Sequence, residues 1–276
     1  MIIVVSLTFT SYQCGSLIVF QDKLLHLSLQ HLANKAIIFV SGLVKNVPIL
    51  FSNFKTSHSH SFPFGQVWYG CHNMQITLTN TGKRYNREWI FRHFDYRFSA
   101  GKKYAITGAN GSGKSTLLQV IAGALTHNEG TVEMSANGSP VTEENCYQHI
   151  AIAAPYLELI EEMTANEFLT FHHQFKTLAC STKEILNIIN LEKAATKQIR
   201  YYSSGMKQRL KLAQAFFCTT RVLLLDEPTT NLDAEGIALY HQLINNYTAG
   251  KLIIISSNDL QEYNFCEEVV EIGRYK

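Results

Sequence analysis

Residues 103–125, KYAITGANGSGKSTLLQVIAGAL, leave few folds open. The apolar stretch KYAIT reads as a strand, and it runs straight into a glycine-rich turn. The turn opens a segment with Leu117, Leu118, Ile121, Ala124 and Leu125 on one helical face. Gly108, Gly113, Lys114 and Ser115 match G-x-x-x-x-G-K-[ST]. Glycines let successive backbone N–H groups turn inward on phosphate oxygens, at a helix N-terminus that already favours anions. Lys114 brings a fixed positive charge for β- and γ-phosphates, and the Ser115 hydroxyl can bind Mg²⁺. The expected phosphate-contact set is Gly108, Asn110, Gly111, Ser112, Gly113, Lys114, Ser115 and Thr116. Strand, loop and helix in this order predict an α/β core.

A second block, VLLLDEPTTNLD at 222–233, begins as a continuous apolar run, as a strand buried on both faces does. It ends in two adjacent carboxylates. Side chains alternate along a strand, so Asp226 and Glu227 are expected to point apart and do different work. Asp226 is the candidate metal ligand, holding the Mg²⁺ shell, and Glu227 the group that orients or deprotonates an attacking water. Pro228 then stops the strand. Upstream, MQITLTN alternates with Ile76 and Leu78 on one side, and FDYRF alternates aromatic with polar residues, as antiparallel strands do.

GANGSGKST, YYSSGMKQR and LLLDEPTTNLD, in this order, resemble the Walker A, signature and Walker B/D-loop motifs of the ATP-binding-cassette (ABC) ATPases, over essentially all of residues 74–272. The resemblance implies a P-loop core of ABC type with an antiparallel β subdomain and a helical subdomain, inserted at about residues 156–200 of a domain spanning 74–276. It implies ATP and Mg²⁺ as ligands. It also implies a second ABC subunit, like or unlike, closing head to tail over two ATPs, and transmembrane permease subunits that hydrolysis drives. In this alignment Ser203, Ser204 and Gly205 fill the signature's S-G-G positions, at a helix start that docks on the γ-phosphate held by the other subunit. Ser204 stands where the family has glycine. Tyr85 is the aromatic expected under adenine, with Trp89 in reserve.

Two positions depart from the family. Pro155 falls where a glutamine usually contacts Mg²⁺ and the attacking water, and Asn258 replaces the usual histidine. Proline has no side-chain donor; asparagine still donates a hydrogen bond but cannot become cationic. Glu227 and Asn258 are the catalytic candidates. Thr164–Glu167 and Ser181–Glu184 read as capping boxes ahead of apolar helices in the insert. Glu158, Glu161 and Glu162 at its entrance read either as contacts for membrane partners or as a solvated rim, and Lys207, Arg209 and Lys211 read as a solvated helix face.

Charge is spread unevenly. Residues 1–73 hold four lysines, one aspartate, and neither arginine nor glutamate. Their opening carries no charge through Gln21, yet is broken by polar residues and lacks a basic leader region. They are read as a compositionally distinct N-terminal extension, poorly ordered or set by a start placed too early, with a short membrane anchor as the competing reading. A net charge of +2 gives no reason to expect nucleic acid held by bulk charge. Six scattered cysteines without C-x-x-C spacing predict free thiols. The expectation is a Mg²⁺-dependent ATPase subunit powering a transporter, cytoplasmic and peripheral at the cytoplasmic face of the membrane through a permease partner. The alternatives are a nucleotide-gated module with little turnover and a soluble, non-transport cassette.

Overall fold

The computed structural model describes residues 73–276. The extension predicted for 1–73 lies outside the described residues, Asn73 excepted. From there the order is β1 (Met74–Tyr85), β2 (Glu88–Ser99), β3 (Lys103–Thr107), α1 (Lys114–Ile121), β4 (Glu129–Ala136), β5 (Ser139–Val141), α2 (Glu143–His149) and β6 (Ile150–Ala153). Then come α3 (Ala165–Phe175), α4 (Thr182–Ile188), α5 (Ser204–Phe216), β7 (Val222–Asp226), α6 (Ala234–Tyr247), β8 (Leu252–Ser256), α7 (Leu260–Tyr263) and β9 (Glu268–Glu271). Two sheets result. One has the order β2-β1-β4-β5 and is antiparallel; the other has the order β6-β7-β8-β3-β9 and is parallel.

The alternation of MQITL is real. Met74, Ile76 and Leu78 are buried while Gln75 and Thr77 are partly exposed. In contrast, VLLLD and LIIIS are buried throughout, since helices or the other sheet cover both faces. Leu223, Leu225, Ile253 and Ile255 enter a core shared with α3, α4 and α5. Val222, Leu224, Leu252 and Ile254 enter a second core with α1 and the antiparallel sheet. Truncating any one of them to alanine costs about 2–5 kcal/mol, the lost transfer energy plus a cavity.

Helix termini follow the local code. Thr164 and Ser181 each cap their helix reciprocally with Glu167 and Glu184, so both capping boxes form. The phosphate-loop helix is shorter than its apolar pattern suggests. It ends at Ile121, because Gly123 takes φ 71° and its N–H bonds to the Val120 carbonyl while Ala124 N–H bonds to Gln119. This pair of bonds is a Schellman stop. Ala124 is therefore exposed, and Leu125 packs from a loop.

Candidate functional site

The carboxyl ends of β3, β7 and β8 converge on one cleft. It has a volume of about 210 Å³ and is lined by Ile90, Asn110, Gly111, Gly113, Lys114, Ser115, Thr116 and Glu227. Two glycines of its loop are obligatory. Gly108 has φ 148°, and a Cβ there would lie 2.8 Å from Ser112 Oγ; Gly113 has φ 103°, and its Cβ would lie 2.4 Å from Ile90 Cγ2. The loop is thus wound tightly over Ile90 and Ile272, with α1 starting at Lys114. Lys114 is 5% exposed and donates from Nζ to the Gly108 and Ala109 carbonyls at 2.8 and 3.3 Å. Its ammonium is held inside the loop, where an anion would find it.

Among the described residues, three buried side-chain polar atoms have no hydrogen-bond partner: Ser112 Oγ, Asp226 Oδ1 and Ser256 Oγ. All three belong to this region. Ser112 lies in the loop, Asp226 ends β7, and Ser256 ends β8 in register with Asp226. Buried polar atoms are otherwise paired, since an unpaired one costs about 1–3 kcal/mol. An orphaned carboxylate oxygen beside a hydroxyl-bearing loop fits a hard divalent cation, which takes oxygen ligands. Ser115 and Asp226 are the residues that would hold it.

Asp226 and Glu227 do diverge, although for a reason beyond strand alternation. Asp226 is the last strand residue and 2% exposed. Glu227 leaves the strand at φ 41°, a left-handed conformation unusual outside glycine, and reaches the cleft. The turn is fastened on both sides. Glu227 N–H donates to Ser256 O at 2.9 Å, Gln208 Nε2 donates to Pro228 O at 2.8 Å, and the Thr229 N–H and hydroxyl both donate to buried Glu262. Glu262 and Gln208 were not legible as part of this site, because neither lies in the motif they secure.

Asn258 sits after β8 and joins it to the phosphate loop. Its Oδ1 accepts the Gly108 N–H at 3.3 Å, and its Nδ2 donates to Asn110 Oδ1 at 2.9 Å. Both ends of its amide are engaged with the loop. Thr116 and Ser115 open α1 within the cleft lining.

Ser203, Ser204 and Gly205 are not in the cleft of their own chain. Ser203 is the N-cap of α5 and accepts the Met206 N–H at 3.2 Å, and Ser204 is exposed. A Cβ on Gly205 would lie 3.2 Å from Asn231 O, so the helix start abuts the turn after β7. Tyr85 is 47% exposed, with Lys83 Nζ 5.2 Å from its ring centre, and is not among the cleft's lining residues. Trp89 is covered by guanidinium groups, Arg92 at 4.5 Å and Arg84 at 5.4 Å. Ile90 is the aliphatic wall that sequence reading missed; it reads as one apolar strand residue among several.

The basic residues of α5 are not a solvated face. Lys207 pairs with Glu161, Lys211 Nζ donates to Pro155 O at 2.8 Å, and Arg209 bridges Asp233 at 3.1 Å and Glu235 at 3.7 Å. The Gly236 N–H, with help from Arg209, holds the Asp233 carboxyl below its usual range. Of the three acidic residues at the insert's entrance, Glu161 and Glu162 are likewise turned to their own chain, Glu162 facing Arg200 at 3.8 Å. Cys146, Cys180, Cys218 and Cys266 are free thiols.

The sequence matches the family described as "ABC transporter" over residues 91–230. It is 30% identical over 204 residues to the uncharacterized ABC transporter ATP-binding protein YybJ of Bacillus subtilis (strain 168), covering 72% of this chain and 92% of that one. It is 28% identical over 226 residues to the Nod factor export ATP-binding protein I of Sinorhizobium fredii (strain NBRC 101917 / NGR234), covering 79% and 66%. The fold matches a putative ABC transporter ATP-binding protein from Pyrococcus furiosus with a TM-score of 0.62 at 18% identity, covering 73% of this chain and 99% of that one.

Proposed function

Because the chain belongs to the ABC transporter family as an ATP-binding subunit, we propose that it binds MgATP, pairs with a second such subunit across two nucleotides, and hydrolyses ATP to drive membrane-embedded permease subunits. The observation that carries this reading is the cluster of orphaned buried oxygens, Ser112 Oγ, Asp226 Oδ1 and Ser256 Oγ, around a cleft that also holds Lys114 and Glu227. A folded chain keeps such atoms unpaired where a ligand completes them.

In this reading the N–H groups of the loop where it enters α1 and the Lys114 ammonium bind the phosphates, while the Gly108 N–H is held by Asn258. Ser115 and Asp226 would hold Mg²⁺, which would supply charge neutralisation to the phosphates. Glu227, presented to the cleft by its left-handed backbone, orients the attacking water and takes its proton. Asn258 tethers the loop and keeps Asn110 at the phosphate end. Tyr85 remains the aromatic proposed for adenine, its exposed ring at the end of β1. Ser203, Ser204 and Gly205 lie outside their own chain's cleft, so they are offered to the nucleotide of a second subunit, like or unlike. Among the described residues no helix is long and apolar enough to cross a membrane. Placement at the cytoplasmic face of a membrane then comes from the permease partner. Export is the task printed in one relative's name, the Nod factor export protein, and it is the direction proposed here.

Pro155, which lacks a side-chain donor, favours a second reading: a nucleotide-gated module with little turnover. Glu227→Gln separates the two. With Glu227 as base, phosphate release by the partner-bound protein falls roughly 10²–10⁴-fold while ATP affinity by calorimetry is kept. An unchanged low rate would instead support the gating module.

A further inference from the structure

Glu227 stands at the head of a tight turn, closed by Thr230 N–H to Glu227 O at 3.2 Å. Pro228 takes the turn's first central position, where its fixed φ suits it, and Thr229 takes the second. Glu227 itself keeps φ 41°, which a residue with a side chain holds only where its surroundings over-determine it. Two of the constraints act before Thr229: the Glu227 N–H on Ser256 O, and Gln208 on Pro228 O. The far half of the turn is held by Glu262. Its Oε1 accepts both the Thr229 N–H at 2.6 Å and the Thr229 hydroxyl at 2.5 Å.

Glu262 is 3% exposed, a depth at which glutamate is rarely found without partners. Its backbone is fixed in turn. The hydroxyl of Tyr240, a fully buried residue of α6, donates to Glu262 O at 2.7 Å, and the Glu262 N–H donates to Asp259 O at 3.0 Å. Four residues earlier, Asn258 holds the phosphate loop through Gly108 and Asn110. One short stretch, 258–262, thus grips the loop with its first residue and the Glu227 turn with its last. The Asn258 end is also anchored separately, by Ser257 N–H to Ile106 O at 3.1 Å. The grip of Glu262 can therefore be cut while that of Asn258 is kept.

We infer that Glu262 is a positioning residue for hydrolysis: by gathering both Thr229 donors on one oxygen it keeps Glu227 in the left-handed conformation that brings it to the cleft. This rests on the reading of Glu227 as the base. The test is Glu262→Met, which removes the acceptor at similar size, with Glu262→Gln, whose amide oxygen can still accept both bonds, as the conservative variant. Thr229→Val, which removes one of the two donors, decides the point if Glu262→Met does not fold. Phosphate release is measured in the partner-bound protein, and ATP affinity by calorimetry. Glu262→Met is expected to lower kcat roughly 10²-fold, the cost of misplacing a reacting group by about 1 Å. ATP affinity stays as in wild type, because Lys114 and the loop are untouched. Glu262→Gln recovers most of the rate, and Thr229→Val loses less than Glu262→Met. On a Glu227→Gln background Glu262→Met lowers the rate no further, since residues acting as one unit are not additive. Unchanged kcat in Glu262→Met, or in Thr229→Val where Glu262→Met does not fold, overturns this inference alone, as does the same proportional loss on the Glu227→Gln background. Unchanged turnover in Glu227→Gln by itself overturns the reading of Glu227 as base, and this inference with it.

Discussion

Asp226→Asn exchanges a buried carboxylate for a neutral amide of nearly the same shape. Asp226 is 2% exposed, and its Oδ1 meets no donor. A buried polar atom without a partner costs about 1–3 kcal/mol, and a charged one more. The amide also brings two donors, and Ser256 Oγ, the cross-strand neighbour, is itself unpartnered. The metal-free variant should therefore be more stable than wild type by about 1–3 kcal/mol. For a domain of this size each kcal/mol moves the midpoint by roughly 2–4 °C, so melting in EDTA should rise by roughly 2–12 °C. With Mg²⁺ and a non-hydrolysable ATP analogue at 100 times Kd, wild type gains about 2.7 kcal/mol by linkage. The variant loses the metal's share of that gain, so the order of stabilities narrows or inverts. Urea denaturation under the two conditions measures both numbers. A variant less stable than wild type in EDTA, or one that gains as much from Mg²⁺, would refute the claim that Asp226 is left unsatisfied for a metal.

Two further perturbations test the frame around the site. Lys251 is 3% exposed and donates to the Phe216 and Cys218 carbonyls; burial pushes its ammonium down to about 8, opposed by Cys218. Between about pH 8 and its unfolded pKa of about 10.4 the unfolded chain keeps a proton that the folded chain has released, so this group's contribution to stability rises with pH. The stability of wild type relative to Lys251→Met should thus increase by up to about 3 kcal/mol across that window, and parallel pH profiles by denaturation would contradict it. Gly130 and Gly138 have similar φ, 76° and 79°, but a Cβ on Gly130 would lie 2.3 Å from the Thr79 and Asn80 carbonyls while one on Gly138 meets nothing within 4 Å. Gly138→Ala should cost about 1–2 kcal/mol for the left-handed backbone alone, and Gly130→Ala about 1–3 kcal/mol more; equal urea midpoints would remove the steric argument.

What the sequence made legible was local. The phosphate loop, the two capping boxes and the doubly buried strand VLLLD each need only a few neighbouring residues to be recognised, and the structure contains them all. The parts that escaped depend on residues far apart in the chain. Lys207, Arg209 and Lys211 look like any exposed helical charges until Glu161, Asp233, Glu235 and the Pro155 carbonyl are brought beside them. Helical periodicity overran the end of α1, since it weighs Ala124 and Leu125 but not the left-handed stop at Gly123. Glu227's φ of 41° has no sequence signature, because the residue is held there by the Ser256 carbonyl on another strand. Ile90, one apolar residue among many, becomes a wall only once Gly113 packs against its methyl group.

The parallel sheet sorts its side chains by residue number. In β7 and β8 the even positions, Val222, Leu224, Leu252 and Ile254, support α1 and its phosphate loop. The odd positions, Leu223, Leu225, Ile253 and Ile255, support α5 and the serines at its start. The phosphate loop and the serine-capped start of α5 therefore rest on opposite sides of one wall a single residue thick. Leu223 and Leu224 are consecutive in sequence, chemically identical and both 0% exposed, yet a cavity at Leu224 loosens the support of the phosphate loop and a cavity at Leu223 loosens the support of α5. The two supports can drift independently in such a protein, one methyl group at a time, without any change in the phosphate loop or in the serines that begin α5.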